Sequence, residues 1–211
     1  MVPVKIICVL KSSEKPSNKW GSYDPSYVDK LFNSIQRNTT IPFQFICLSD
    51  LQWAAPYEIN SLTDNLPGWW SKIEMFKYSG AVITLDLDIL IVKNIDKLLS
   101  LPSQKNNNKI YLMKALYESR RFTTSLMAWN GNFNYIFNEF IFKKDEAFNW
   151  DQHYILSKLK EKQIIAIQES VDGIYSYKKQ WENQSDTRII WFHGKPRMPD
   201  CEDKILKEHW R

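Results

Sequence analysis

The sequence lacks the features that mark disulfide-rich, zinc-binding and membrane-spanning proteins. Its three cysteines, Cys8, Cys47 and Cys201, are an odd number without a C-x-x-C pair, so neither a disulfide framework nor a structural zinc site is predicted. The apolar stretches are far shorter than the roughly 18 residues that a membrane span needs. Lys5 interrupts the N-terminal run that might act as a signal peptide. These absences predict a cytoplasmic protein whose thiols are reduced. The protein would be either dissolved in the cytoplasm or bound at the periphery of a membrane.

Charge runs and glycine fingerprints are also missing, which excludes two ligand classes. The formal net charge of +4 at pH 7 is small, and no run of five like charges occurs, so nucleic acid is not a predicted partner. No G-x-G-x-x-G motif follows the first apolar run. This absence argues against a dinucleotide cofactor, because the glycines of that motif let the backbone approach the pyrophosphate closely. A mild preference for anionic ligands remains.

The length and composition fit one globular domain. The chain has 211 residues, of which 44% are hydrophobic and 25% are charged, which is close to ordinary globular usage and sufficient for one core. No internal repeat and no linker-like stretch interrupts it. We therefore predict a single domain over residues 1–211.

The order of apolar runs and turn signals predicts alternating strands and helices. Strands are predicted at Val4–Leu10 and Phe43–Leu48, with a helix between them that has Asp24 as N-cap and Pro25 at its first position. Such a unit has parallel strands, and ligands bind beyond their carboxyl ends. Further elements are predicted as strands at 81–92, 109–114, 125–129, 164–167 and 188–192 and helices at 70–77, 133–142 and 151–162. This order indicates an α/β layer sandwich.

Two aspartates interrupt the apolar run 81–92. On a strand, Asp86 and Asp88 would point to the same face, while Leu87 takes the other. The surrounding residues are apolar, which indicates a strand covered on both faces, where two like charges resist joint ionisation unless a cation neutralises them. Hard oxygen ligands favour magnesium or manganese, and both ions commonly share phosphate oxygens. The pair therefore predicts a divalent-metal site.

Two other interpretations of the aspartate pair stay open. The first is an edge strand with a solvated polar face, which is common for an isolated Asp-x-Asp. The second is a phosphatase with an aspartyl nucleophile, where the pair follows the first strand and a threonine comes after it. Here Ile89 and Leu90 follow, and the pair lies about a third of the way along the chain. A phosphatase or hydrolase is thus the alternative enzyme class.

Five segments in this order resemble the GT-A glycosyltransferases, especially those of family 8 and related bacterial enzymes. They are PGWWSKIEMFK, LDLDILIVKNIDKLL, SLMAWN, DQHYI and WFHGKP, and with the first strand the resemblance spans Ile6 to Pro196. It implies a three-layer GT-A sandwich with a mostly parallel central sheet. The implied activity is transfer of a sugar from a nucleotide-diphosphate donor to an acceptor, with retention of configuration. The implied nucleotide is uridine diphosphate. A catalytically silent nucleotide-sugar-binding module is the alternative outside enzymes.

The resemblance also implies a metal site and a set of donor-binding residues. Asp86, Asp88 and His193 would bind manganese or magnesium, and a neutral imidazole suits manganese better. Gly194 and Lys195 would face the diphosphate, although His-Gly-Lys is contiguous here and longer in family 8. The full set of implied donor-binding residues is Val9, Leu10, Lys11, Lys72, Asp86, Leu87, Thr124, Ser125, Gly194 and Lys195.

The catalytic and acceptor-side residues are implied in the same way. Asp151 and Gln152 would lie beside the transferred sugar, although Asp151 could equally be a helix N-cap. Trp69 and Trp70 are the acceptor-side candidates, since aromatic faces stack on sugars. The acceptor itself, a saccharide, a lipid-linked glycan or a protein, is not specified by any motif.

Overall fold

Ten strands in two sheets form the framework of the computed structural model, which describes residues 3–12, 23–103, 108–115, 122–143, 148 and 150–211. In chain order these strands are β1 (Val4–Leu10), β2 (Phe43–Ser49), β3 (Glu58–Ser61), β4 (Gly80–Leu85), β5 (Ile89–Ile91), β6 (Ile110–Lys114), β7 (Phe122–Gly131), β8 (Ile164–Ala166), β9 (Ile174–Ser176) and β10 (Ile189–Trp191). The central sheet has the order β3-β2-β1-β4-β7-β6-β8. Only β7 runs against its neighbours, so the sheet is mostly parallel.

A second, three-stranded sheet has the order β5-β10-β9. Strand β10 is antiparallel to β5 and parallel to β9. Because β5 follows β4 after three residues, this small sheet is connected directly to the middle of the central one.

Helical segments and the small sheet cover the two faces of the central sheet. The helices are α1 (Pro25–Arg37), α2 (Asp96–Ser100), α3 (Asn134–Lys143), α4 (Asp151–Lys158) and α5 (Lys204–His209), and Gly68–Lys77 forms a 3₁₀ helix. Ile6 and Cys8 of β1 pack with α1 and the small sheet, while Ile7 packs on the other side with the 3₁₀ helix, α3 and α4. The three-layer sandwich with a mostly parallel sheet is therefore confirmed.

Helix α1 begins where its sequence signals predict. The Asp24 carboxylate accepts a hydrogen bond from the Ser26 amide at 2.8 Å, and Pro25 occupies the first position. Val28, Leu31 and Ile35 recur on one face and are buried. The helix thus packs on the sheet by its apolar stripe.

The prediction of one strand over 81–92 was wrong. Strand β4 ends at Leu85, a turn spans the two aspartates, and β5 starts at Ile89 in the other sheet. The Ile89 amide donates to the Asp86 carbonyl at 3.3 Å within this turn. The run is continuously apolar because both short strands are buried, so its pattern could not reveal the break between them.

Most other elements lie close to their predicted bounds. Strands β6, β7, β8 and β10 confirm the predicted apolar runs, whereas the helix predicted over 151–162 ends at Lys158. Strands β3 and β9, with helices α2 and α5, were not predicted. Cys8 and Cys47 are buried free thiols, as expected. In the described part of the chain, no helix has the length and apolarity to cross a bilayer.

Asp96 connects the end of the α1–β2 loop to the start of α2. Its carboxylate accepts hydrogen bonds from the Thr39 hydroxyl at 2.6 Å and from the Thr40 amide and hydroxyl at 2.8 Å and 2.7 Å. Partial burial would raise the pKa of Asp96, but the bonds from Thr39, Asn94 and Thr40 outweigh it and hold the pKa well below its usual range.

We expect Asp96→Ala to lower the free energy of unfolding by about 2 kcal/mol, since hydrogen bonds to a charged acceptor are lost. The carboxylate stabilises the fold only while ionised, so the difference from wild type should shrink as the pH falls below about 4. Urea unfolding at pH 7 and pH 3 measures both effects. An equal loss at the two pH values would contradict this account.

Candidate active site

Polar residues collect at the carboxyl edge of the central sheet. Lys11, Asp50 and Asp86 each come directly after a parallel strand, namely β1, β2 and β4. The carboxyl ends of parallel strands meet at one edge, which is where α/β sheets bind ligands. This edge is therefore the candidate active site.

A buried lysine joins two carboxylates at this edge. The Lys72 ammonium lies 2.6 Å from Asp86 Oδ1 and 3.8 Å from Asp151 Oδ2, and it donates to the Thr124 hydroxyl at 3.4 Å. Burial alone would lower the pKa of Lys72, but the negative charges of Asp86 and Asp151 outweigh it and raise that pKa. Burial raises the pKa of Asp151, which Lys72 partly opposes. Four predicted site residues thus meet in one cluster.

Three different elements bring these side chains together. Lys72 comes from the 3₁₀ helix, and Asp151 is the first residue of α4, whose N-cap is Trp150. Thr124 and Ser125 lie where β7 bulges, because its pairing with β6 shifts from Leu112 to Met113. Both hydroxyl residues are buried, and they are not on an exposed strand edge.

Asp88 is a buried carboxylate with incomplete hydrogen bonding. Among the described residues no donor reaches its Oδ1, and its Oδ2 lies 3.8 Å from Arg197 Nη1. Burial, followed by the charge of Asp86, raises the pKa of Asp88 to about 7. A carboxylate in this state gains from any cation that reaches it.

Arg197 is the cation next to Asp88, and the sequence analysis missed it. Its side chain is only 13% exposed. Its Nη1 donates to the Tyr23 hydroxyl, and its guanidinium also lies over the Tyr23 ring. Lys195, which was predicted to face the diphosphate, is exposed. The only sequence signal for Arg197 was a second basic residue two positions after Lys195.

His193 lies next to the aspartate turn through the backbone. The Phe192 amide donates to the Asp88 carbonyl at 2.9 Å, continuing the β5–β10 ladder. His193 Nε2 is 2.7 Å from the Ser176 hydroxyl, and burial lowers the His193 pKa to about 4, so the imidazole is neutral. Gly194 follows with a φ of +71°, which favours glycine. Across the described ranges, no three His, Cys, Asp or Glu side chains are grouped as a metal site.

Some of the residues predicted to bind the nucleotide lie in the hydrophobic core, and others lie at the carboxyl edge of the sheet. Leu10 and Leu87 are buried in the core, so only their backbone groups could reach a ligand, and Val9 is partly buried on the opposite face of β1. Lys11 pairs with Asp50 at 3.0 Å and donates to Asn65 at 3.2 Å. Asp50 also accepts from the Ser12 amide at 2.8 Å. Asp50 is a further site residue that no sequence pattern indicated.

The aromatic and amide candidates differ in their surroundings. Trp69 is 44% exposed at the start of the 3₁₀ helix, whereas Trp70 is partly buried and stacks on Phe140 with 5.1 Å between ring centroids. Within the described part of the chain, the buried Gln152 Nε2 has no acceptor. Gln152 therefore presents an unsatisfied donor beside Asp151.

Comparisons with solved structures identify the fold. The galactosyltransferase LgtC in complex with donor and acceptor sugar analogues matches with a TM-score of 0.62 over 98% of this chain and 94% of LgtC, at 10% identity. A glutamine-to-glutamate active-site mutant of LgtC matches with a TM-score of 0.63 and the same coverage and identity. The glycosyltransferase GlyE of Streptococcus pneumoniae TIGR4 matches with a TM-score of 0.56 at 9% identity, over 79% of this chain and 45% of GlyE.

These likenesses confirm the predicted GT-A fold. This chain spans less than half the length of GlyE but nearly all of LgtC. At such low identity the comparisons establish the fold and leave the activity to the chemistry of the site. The sequence matches no protein-family model and no curated protein.

Proposed function

We propose that this chain is a metal-dependent glycosyltransferase that moves a sugar from a uridine diphosphate donor to an acceptor with retention of configuration. The observation that carries the proposal is the partly buried Asp86–Asp88 turn at the carboxyl edge, in which the buried Asp88 Oδ1 lacks a partner among the described residues. Its setting in a fold shared with LgtC and GlyE supports this chemistry over that of a phosphatase.

The donor set at the turn fits a hard divalent cation. Manganese accepts the ligand types found here. They are the buried Asp88 Oδ1 without a partner among the described residues, the Asp86 carboxylate two residues away, and the neutral His193 imidazole at the end of the adjoining strand. Asp86, Asp88 and His193 would hold manganese or magnesium. When bound, the ion supplies Lewis-acid stabilisation of the charge that develops on the departing diphosphate.

The remaining residues would bind and orient the donor. The end of β1, from Val9 to Lys11, would contact the nucleoside, with Lys11 already oriented by Asp50. The backbone at Leu87 and Gly194 would face the diphosphate, and a basic side chain of the segment after His193, which contains both Lys195 and Arg197, would supply the charge that binds it. Thr124 and Ser125 would offer hydroxyl groups to the sugar, and the Lys72 contact with Thr124 orients one of them.

Asp151 and Gln152 would act at the sugar itself. The Lys72 ammonium favours the ionised form of Asp151, whose carboxylate would stabilise positive charge at the anomeric carbon. The unpartnered Gln152 amide would donate to a sugar hydroxyl or to the acceptor.

A donor-hydrolysis panel tests the proposal. Wild-type protein with UDP-glucose, UDP-galactose or GDP-mannose should release nucleotide from a uridine donor, with a rate at least about tenfold higher with manganese than with a chelator. Nucleotide release is measured by chromatography, and inorganic phosphate is measured in parallel. Phosphate as the main product would indicate a phosphatase, and binding without release would indicate a silent module.

A further inference from the structure

We propose that Arg197, held beside Asp88 by Tyr23, is the residue that binds the donor diphosphate. It would do so in place of Lys195, which the resemblance of the segment WFHGKP indicates. This inference rests on the proposed function, which it deepens by assigning the anion-binding residue. It is carried by the position of the guanidinium relative to the aspartate turn.

The guanidinium is positioned from two sides of the molecule. Tyr23, which precedes α1, accepts a hydrogen bond from Arg197 Nη1 and also packs edge-on against Tyr27 with 4.9 Å between centroids. The Arg197 backbone is tied into the C-terminal segment, since its amide donates to Asp200 at 3.2 Å and its carbonyl accepts from the Cys201 thiol at 3.2 Å. The side chain is therefore oriented before any ligand binds, which reduces the entropy lost on binding.

The contact with Asp88 is an attraction between charges without a hydrogen bond. The two groups are 3.8 Å apart, and their side chains are 13% and 14% exposed, so solvent screens them little. Asp86, in contrast, has Lys72 at 2.6 Å. Each carboxylate of the turn thus has its own cation, at a longer distance for Asp88 than for Asp86. Because no hydrogen bond joins Arg197 to Asp88, a diphosphate that bound the guanidinium would break none at that carboxylate.

The chemistry of the ligand favours arginine here. A guanidinium presents N–H groups in a planar fork that matches two phosphate oxygens, whereas an ammonium is a point charge. Lys195 is exposed, so its charge is screened by water and salt. Compared with Lys195, Arg197 has the N–H geometry that matches phosphate oxygens, and its side chain is shielded from solvent.

Isothermal titration with inorganic pyrophosphate and with UDP, in the presence of manganese, tests the assignment. Arg197→Gln should weaken both ligands by about 10- to 100-fold, because a charge-assisted hydrogen bond is lost. Arg197→Lys should fall between this variant and wild type, since charge is kept and the fork is lost. Lys195→Gln tests the competing assignment by removing a charge two residues away, and it should weaken both ligands less than Arg197→Gln does. Lys204→Gln, at a lysine whose side chain is 88% exposed, is the matched control and should change affinity by less than about threefold.

A second variant keeps the test valid if Arg197→Gln folds poorly. Tyr23→Phe removes the hydroxyl that orients the guanidinium and should weaken pyrophosphate several-fold with an unchanged melting temperature. Equal losses in Arg197→Gln and Lys195→Gln, or no loss in Arg197→Lys and Tyr23→Phe, would overturn the inference alone. If wild type bound neither pyrophosphate nor UDP with manganese, the proposed function itself would fail.

Discussion

Asp88→Asn is expected to abolish donor turnover while the folded protein remains at least as stable as wild type. The substitution removes a charge of the proposed metal site, for which we expect a loss of about 1,000-fold or more in the rate of nucleotide release. Stability should not fall, because burial and the charge of Asp86 already raise the pKa of Asp88 and disfavour its ionised form, and its Oδ1 has no partner among the described residues. Nucleotide release with manganese and urea unfolding measure the two effects on one sample.

The opposite directions of these two effects distinguish a functional residue from a structural one. Asp172→Asn is the matched control, since this aspartate is 53% exposed and forms a surface ion pair with Lys97 at 3.3 Å. It should leave both turnover and stability nearly unchanged. An Asp88→Asn protein that kept manganese-dependent release would remove the basis of the proposed function.

Lys72→Met should produce the largest change in stability, a loss of about 3–5 kcal/mol in the free energy of unfolding, because Asp86 and Asp151 are left without their buried counter-ion. Methionine is unbranched and only one heavy atom shorter than lysine, so the loss reports mainly the missing charge and not a cavity. Turnover should fall as well, since Asp151 and Thr124 lose the contact that orients them. Urea unfolding at pH 7 and nucleotide release provide the measurements.

Lys97→Met is the control for Lys72→Met, because it makes the same substitution at a solvent-exposed lysine. Lys97 is 65% exposed, so breaking its pair with Asp172 should change stability by less than about 1 kcal/mol. Lys72→Arg keeps the charge and should recover part of the lost stability. If Lys72→Met and Lys97→Met were equally stable, the buried pair would have no role in holding the site together.

Both predictions reflect the way charge is balanced at the carboxyl edge. Lys72 contacts Asp86 and Asp151, and Arg197 contacts Asp88, so among the described residues these three partly or fully buried carboxylates pair with two cations. A further cation at the aspartate turn would balance the remaining negative charge. The donor diphosphate would then bring the negative charge that both the ion and Arg197 can share.

The sequence analysis gave the wrong geometry for the paired acids. Asp86 and Asp88 were predicted to share one face of a strand, whereas they lie in the turn between β4 and β5. The two acids are still neighbours, because residues two apart are close in a turn as well as on a strand. Lys72 was predicted to face the donor, and the structure adds that it contacts Asp86 and Asp151; the role of each of these residues remains a prediction.

Residues without a motif were missed for a consistent reason. Tyr23, Asp50 and Arg197 are single polar residues in loops, and nothing in their local sequence distinguishes them from solvated side chains. Only their proximity to Lys11 and Asp88 makes them candidates for the site. The buried Gln152 amide and the stacking of Trp70 on Phe140 likewise depend on packing between distant segments.

By itself, the sequence determined the alternation of strands and helices, the start of α1 at its Asp24 cap and the presence of paired acids in an apolar run. These features depend on neighbouring residues, so local periodicity and capping reveal them. The tertiary structure decided which cation faces which acid, that the apolar run divides between two sheets, and that Arg197 approaches Asp88. Those relations join segments up to about half the chain apart, and only the packing of three layers brings their charges within a few ångströms.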